Sequence, residues 1–328
     1  MTASHTPGNV FSADVFKRDP MVIADEIQTC LRRSVSSVLK KRGIVVGISG
    51  GVDSAVVAAL SVRALGPERV FGLLMPESDS HSDSTRLGRT LAEELGIRYA
   101  VEDISLPLAA LGCYQRRDEA IRRLIPAYAD GWKCKIVLPN LLEGSTYSIF
   151  SLVVESPAGE RITARMDHES YLAVVAATNF KQRVRKMMEY YHADRLNFAV
   201  AGTPNRLEYD QGFFVKNGDG AADIKPIAHL YKTQVYHLAD HLGVPEEIRR
   251  RPPTTDTYSL DQSQEEFYFA VPYQQMDLCL YGRDHGMDPA EVAPACGLPP
   301  AQVARVYQLI DAKRAATRYL HEPPILLY

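Results

Sequence analysis

The sequence predicts an α/β protein: a doubly wound, mostly parallel sheet flanked by helices, with an inserted β-hairpin segment and a helical C-terminus. Three observations predict it. Short apolar, β-branched runs at Ile44–Ile48, Val70–Met75 and Ile97–Ile104 alternate with runs of helical length, the pattern of right-handed βαβ crossovers. A glycine-rich string, Gly47-Ile48-Ser49-Gly50-Gly51-Val52-Asp53-Ser54, joins the first strand to a helix-like run ending at Leu65. After Leu196–Ala201, the last apolar strand, the chain reads as turns and helices.

Residues Met1–Pro20 lack an apolar core segment and are expected to form a flexible arm, with one domain over 21–328. Met21–Lys41 places Ile23, Ile27, Leu31, Val35 and Val38 near helical spacing, so an amphipathic helix precedes the first strand. Gly66-Pro67 turns the chain into strand two, and the polar loop Pro76–Ser84 follows it. Arg86–Leu95 reads as a helix closed by Gly96. Leu106–Ser170 is irregular. It offers a helix at Asp118–Tyr128 and a β-hairpin whose arms, Tyr147–Val154 and Arg161–Met166, flank Ser156-Pro157-Ala158-Gly159. Glu169–His192 is a long helix. Further helices are expected at Ala228–Leu242, Gln264–Tyr281 and Pro300–Leu320.

Composition narrows the function. The 328 residues are 46% hydrophobic and 23% charged, as in globular proteins. A net charge of −3 leaves no broad basic footprint for nucleic acid, and no apolar run reaches the roughly 20 residues of a membrane span. The five cysteines form no Cys-x-x-Cys pair, which fits reduced thiols in the cytoplasm.

The chemistry concentrates at strand ends, where ligands bind in such sheets. In the glycine string the backbone can approach an anion, and N–H groups of the turn and helix N-terminus point at it. Gly47, Ile48, Ser49, Gly50, Gly51, Val52, Asp53 and Ser54 are therefore candidate phosphate contacts. No Gly-Lys-Ser/Thr follows, so this is not a Walker A loop. Asp53 instead sets a carboxylate beside the cradle, which suits a bridging Mg²⁺. Thr203 ends the strand Leu196–Ala201 on the same edge, and Glu208, Lys216, Asp219, Asp223 and Lys232 crowd the following segment.

The string resembles the pyrophosphate loop of the ATP pyrophosphatase superfamily, whose members cleave ATP between its α and β phosphates. The C-terminal half is similar to the ammonia-dependent NAD synthetases within it. Asn179-Phe180-Lys181-Gln182-Arg183 resembles their Asn-x-Lys-Ala-Arg helix, and Gly202-Thr203 with Glu208 resembles their Gly-Thr-x-x-x-x-Glu. Gly212 to Asp223 resembles Gly-Phe-Phe-Thr-Lys-Tyr-Gly-Asp-Gly-x-x-Asp. Pro226, Leu230 and Lys232 sit as in Pro-Leu-x-x-Leu-x-Lys, and Pro253-Thr254-Thr255-Asp256 resembles Pro-Thr-Ala-Asp. The resemblance implies the adenine nucleotide alpha hydrolase-like fold and an amide ligase. Such an enzyme adenylates deamido-NAD with ATP and lets ammonia, free or supplied by a separate glutaminase, displace AMP. It further implies Mg²⁺ on Asp53 and Glu208, ATP contacts from Thr203, Lys232 and Thr254, and acceptor contacts from Asn179, Arg183, Lys216 and Asp223. Asp219 would serve the ammonia site, and Asp53, Asp219 and Lys232 would be catalytic. A homodimer through Met21–Lys41 and Glu169–His192 is implied as well.

Three departures fall on the acceptor side. Tyr319 and Leu320 stand where the family has His-Lys, Asn217 replaces a tyrosine, and residues 106–170 exceed the usual linker. They leave open a related acceptor, nicotinate mononucleotide or a pathway-specific acid.

Overall fold

The computed structural model describes residues 11–138, 150–254, 257–269 and 271–327. Strands β1 (Ile44–Gly47), β2 (Val70–Leu74), β3 (Arg98–Val101) and β7 (Ala199–Ala201) form a parallel sheet in the order β3-β2-β1-β7. The chain moves outward from β1 through β2 to β3, then returns to the other side of β1 for β7. The C-terminal ends of β1 and β7 are therefore the topological switch point, where a crevice opens. Ile44, Val45, Val46, Val70, Leu73 and Val200 are completely buried, as expected of strands covered on both faces.

Helices α1 (Pro20–Arg33), α2 (Val52–Leu65) and α8 (Lys232–His241) pack with the sheet into one large core, joined by Ile248 of the short helix α9 (Glu246–Arg250). The helix α2 is apolar nearly all round, with eleven of its residues buried, so it reads as a core helix. Its start at Val52 is two residues earlier than the expected Ser54, which brings Asp53 into its first turn. The loop after β2 is likewise shorter than expected, because α3 (Ser82–Glu94) begins at Ser82. The long helix α6 (His168–Leu196) crosses the crevice and ends at Asn197, whose φ of 54° closes it in the left-handed region.

Between β3 and α6 lies a small second sheet. β4 (Lys133–Val137), β5 (Ser151–Glu155) and β6 (Arg161–Arg165) pair antiparallel in that order. The hairpin is present, but β4 was not anticipated. The expected arm residues Tyr147–Ile149 lie outside the described residues. Helix α4 (Ser105–Ala110) leads into α5 (Cys113–Leu124), five residues ahead of the expected start at Asp118. The sheet packs against α5 and α6 through Cys134, Ile136, Leu152, Val154, Ile121 and Val174.

The C-terminal half departs from expectation at two helix starts, and the helices at Arg206–Asp210 and Pro289–Cys296 were not anticipated. Tyr231 is extended and α8 begins at Lys232 rather than at Ala228. Gln264–Tyr281 is not one helix: a π-helical turn spans Glu265–Phe269, and Pro272 caps α10 (Tyr273–Asp284), as a missing N–H and a fixed φ require. Helix α11 (Pro289–Cys296) and helix α12 (Pro300–His321) complete a second core with α10. The expected flexible arm is corrected in part. Phe11 and Phe16 are buried in that second core, where Phe16 lies 4.7 Å from the Tyr231 ring. Residues 1–10 lie outside the described residues.

Candidate active site

A cleft of about 470 Å³ opens at the switch point. Its floor is the glycine string. Ser49 and Ser54 tie the loop together: their hydroxyls lie 3.2 Å apart, Ser49 N donates to Ser54 Oγ at 3.3 Å, and Ser54 Oγ donates to Gly51 O at 2.9 Å. The first N–H groups of α2 have no intrahelical acceptor and face this end of the cleft. Gly50 has a φ of +75°, and a Cβ there would lie 2.7 Å from Ser84 O. Its glycine is thus required for the approach of α3, and Gly50 does not itself line the cleft.

Four side chains converge beside the loop. Lys232 is buried and pairs with Asp53 Oδ2. Asn205 Nδ2 donates to Asp53 Oδ1 at 3.1 Å, and Asn205 Oδ1 accepts from Glu208 N at 3.1 Å. Glu208 Oε2 accepts from Asn205 N, closing a capping box on the short helix α7 (Arg206–Asp210). Glu208 Oε1 accepts from Gln264 Nε2 at 2.9 Å. Burial, then the negative charge of Asp53, pushes the Glu208 carboxyl above its ordinary range against the pull of Lys232. Burial alone would lower the Lys232 ammonium, but Asp53 and Glu208 outweigh it and hold it charged. A single lysine faces two carboxylates here, so the site favours an additional cation. Among the described residues no cluster of three His, Cys, Asp or Glu could cage a metal alone. Two hard oxygen donors at the mouth of an anion cradle suit Mg²⁺, which keeps waters and substrate phosphates in its shell.

The cleft runs along α6, whose Tyr171, Val175, Thr178, Asn179, Gln182, Arg183, Arg185 and Glu189 line it. Tyr171 to Glu189 spans about 27 Å at 1.5 Å per residue. Thr203, Thr254, Lys216 and Asp219 line it too, so the structure gathers all but two of the expected residues. Arg183 donates to Lys216 O at 3.3 Å, and Lys216 Nζ donates to Tyr319 O at 2.9 Å. Asp219 accepts from Val215 N at 2.8 Å, and burial raises its carboxyl. Asp223 is the second exception. Its Oδ2 accepts from Val200 N at 2.7 Å, bracing β7, and it does not line the cleft. Thr255 and Asp256 lie outside the described residues.

Sequence reasoning missed Asn205, Gln264, Arg185 and the aromatic end of the cleft. The Asn-x-x-Glu spacing of a capping box was a readable signal for Asn205. Gln264 had none. At the aromatic end the inserted segment contributes Phe150, stacked on Tyr171 at 4.2 Å with a 17° interplanar angle. Tyr319 and Leu320, the two departures near the C-terminus, also line the cleft.

Comparison with known proteins identifies the family. The NAD synthase family model matches residues 23–124 and 151–318. The unmatched stretch, 125–150, is shorter than the 106–170 expected from motif spacing. The NH(3)-dependent NAD(+) synthetase of Rhizobium meliloti (strain 1021) is 63% identical over 318 residues, covering 97% of this chain and 95% of that protein. The protein of the same name from Mesorhizobium japonicum is 59% identical, covering 94% and 97%. In fold, the chain is similar to an NMN synthetase from Francisella tularensis (TM-score 0.66, 22% identity, 95% and 99% covered). It is also similar to an NH3-dependent NAD synthetase from Campylobacter jejuni (TM-score 0.62, 22% identity, 95% and 100% covered). At those identities the two structures speak for the fold alone. The glycine string, the Asn205–Glu208 box and Lys232 meet at one switch point in a chain matched over nearly its whole length, and the chain belongs to the NAD synthase family.

Proposed function

We propose that this chain is an ammonia-dependent NAD synthetase. ATP is attacked at its α phosphorus by the carboxylate of deamido-NAD; an acyl–AMP forms and pyrophosphate leaves. Ammonia then attacks the acyl carbon, AMP departs with the C–O electron pair, and one proton is released as the amide of NAD forms. The observation that carries this reading is the continuous cleft, whose lining includes the loop with Asp53, Glu208 and Lys232 and also Asn179, Arg183, Lys216 and Asp219. The names of the 63% and 59% identical relatives support it.

Lys232 is placed to meet phosphate charge, and the loop to cradle the departing pyrophosphate. Asp53 and Glu208 would hold Mg²⁺, which when bound supplies positive charge to the phosphate oxygens. Asn205 fixes both carboxylates relative to one another. Asp219 receives the proton that ammonia sheds, and its burial keeps its basicity above that of a surface carboxylate. Arg183 and Lys216 suit the anionic dinucleotide. A homodimer is supported by exposed Met21 and Val22 on α1 and Met187 and Tyr191 on α6. Cytoplasmic residence is supported by five free cysteines; among the described residues no helix is long and apolar enough to cross a membrane.

The test mixes protein, Mg²⁺, ATP and ammonia with deamido-NAD, nicotinate mononucleotide, aspartate or simple aromatic acids. NAD and AMP should appear together, with deamido-NAD highest in kcat/KM. ADP without AMP would overturn the mechanism, and a higher kcat/KM for another acid would overturn the acceptor.

A further inference from the structure

Lys181 belongs to the Asn179–Arg183 string, yet it does not enter the cleft. Its side chain is wholly buried under it. All three ammonium protons are used: Nζ donates to Glu77 Oε1 at 2.9 Å, to Asp79 Oδ2 at 2.6 Å and to Thr257 O at 2.7 Å. Glu77 and Asp79 lie in the loop that follows β2, whose Met75, Pro76 and Ser80 line the cleft. Thr257 lies in a second loop, whose Pro253, Thr254, Thr257 and Tyr258 line the cleft. One buried ammonium on α6 therefore joins two of the loops that line the cleft.

The surrounding contacts make the junction rigid. Tyr114 donates to Glu77 Oε2 at 2.8 Å, and Arg117 pairs with Asp79. Both come from α5. Beyond Thr257 the second loop is held by β4: Leu260 N donates to Cys134 O at 3.1 Å, and Leu138 N donates to Glu266 O at 3.0 Å. The same segment delivers Gln264 to Glu208. Tyr114 and Arg117 hold the loop after β2 from one side, whereas Lys181 bonds both to that loop and to the second one.

We propose that Lys181 is a positioning residue that sets the separation of the two cleft loops and so preorganises the nucleotide site without touching the nucleotide. This rests on the ATP-dependent reading above only in that a nucleotide occupies the cleft. Buried charge pairs are costly to break because the remaining charge is stranded. Removing the ammonium should therefore leave Glu77 and Asp79 each with its α5 partner but without the buried cation, and take one donor from Thr257 O. The ties within Gly47–Ser54 and the Asp53–Lys232 pair are not made to that junction, which reaches the constellation through Gln264 on Glu208. The loss should fall on binding rather than on the chemical step.

The test measures binding of a non-hydrolysable ATP analogue with Mg²⁺, without any acid, by calorimetry. Wild type is compared with Lys181→Met and Glu77→Gln, each checked for folding by circular dichroism. Folded Lys181→Met should bind about tenfold or more weakly. Its amide hydrogens over 257–264 should exchange faster, and its KM for ATP should rise by more than kcat falls. If Lys181→Met does not fold, Glu77→Gln carries the test, with a weaker analogue affinity and faster exchange over 76–81 and 257–264. Wild-type affinity in the folded variants, or a loss confined to kcat, would overturn the proposal. Since the acid is absent from the binding assay, a wrong acceptor assignment leaves this result unchanged.

Discussion

Asp277 offers a sharp test of how the site is supported. It is fully buried on α10 and faces the start of α8. Its Oδ2 accepts from Thr233 N and Thr233 Oγ, each at 2.8 Å, and Oδ1 accepts from Lys232 N at 3.4 Å. It therefore caps, from a neighbouring helix, the helix that presents Lys232. Burial pushes its carboxyl up to about 6 from 3.8, against the pull of those donors and of Lys232. Because the folded state holds this proton more tightly than the unfolded chain, its contribution is full below about pH 4 and is lost as pH rises through about 6. Between pH 5 and pH 7.5 the loss is on the order of 1 kcal/mol. In Asp277→Ala two N–H donors lose their acceptor, a cost of about 3 kcal/mol at pH 5. That cost should shrink by on the order of 1 kcal/mol at pH 7.5, since the alanine variant has no buried carboxylate to ionise. Urea unfolding of both proteins at the two pH values measures it. A cost that is flat with pH, or that grows toward pH 7.5, would refute the argument.

Other predictions concern the cleft wall, the buried junction and the metal pair. Phe150→Ala should raise KM for the acid substrate about threefold with little change in kcat, because it removes one ring of the stacked wall; an unchanged KM would make the inserted sheet a scaffold only. Burial opposes ionisation of Asp79, but Lys181 and Arg117 outweigh it and hold its carboxyl below the ordinary value. Its stabilisation is present above about pH 4 and lost as pH falls through the lowered value. Asp79→Asn should flatten that acid limb in unfolding curves, and superimposable limbs would contradict the assignment. Asp53→Asn should cut AMP formation by at least about a hundredfold while the protein stays folded; a near-normal rate would remove Asp53 from the chemistry.

Much of the fold was legible because periodicity and punctuation agree along the first hundred residues. Ile44–Gly47, Val70–Leu74 and the apolar α2 each differ from expectation by two residues or fewer. The inserted segment was harder for a physical reason. β4 carries the alternation Lys133, Cys134, Lys135, Ile136, with Cys134 and Ile136 buried, but it spans only five residues. Its nearest strand partner, β5, begins at Ser151, so no tight turn announces the pairing. The error at Pro272 was of another kind. Apolar spacing on both sides favoured one helix, and the ring's geometry prevailed.

The site was legible where an anion must be met and obscure where side chains meet each other. Asp53, Glu208 and Lys232 stand out because charged residues near glycine turns and strand ends have few structural reasons to be there. Asp223 looked the same in sequence, yet its carboxylate is spent on the N–H of Val200. A carboxylate that accepts a backbone proton in a strand-edge turn and one that faces a phosphate cradle present the same letter. What separates them is the register of β7 against the loop that follows it, a long-range property. Lys181 makes the converse case. Within a string rich in cations it reads as one more solvated charge, and its meaning depends on Glu77, over a hundred positions away in the chain, and on Thr257. A buried lysine is tolerated only where it is paired, and Lys181 has an acceptor for each of its three protons. Its presence on the inward face of α6 therefore implies that both loops are held before any nucleotide arrives. Preorganisation of this kind shifts the ordering cost from the binding step to folding. Residues outside the reacting centre then set affinity, and a motif that records only contacts to substrate will not contain them.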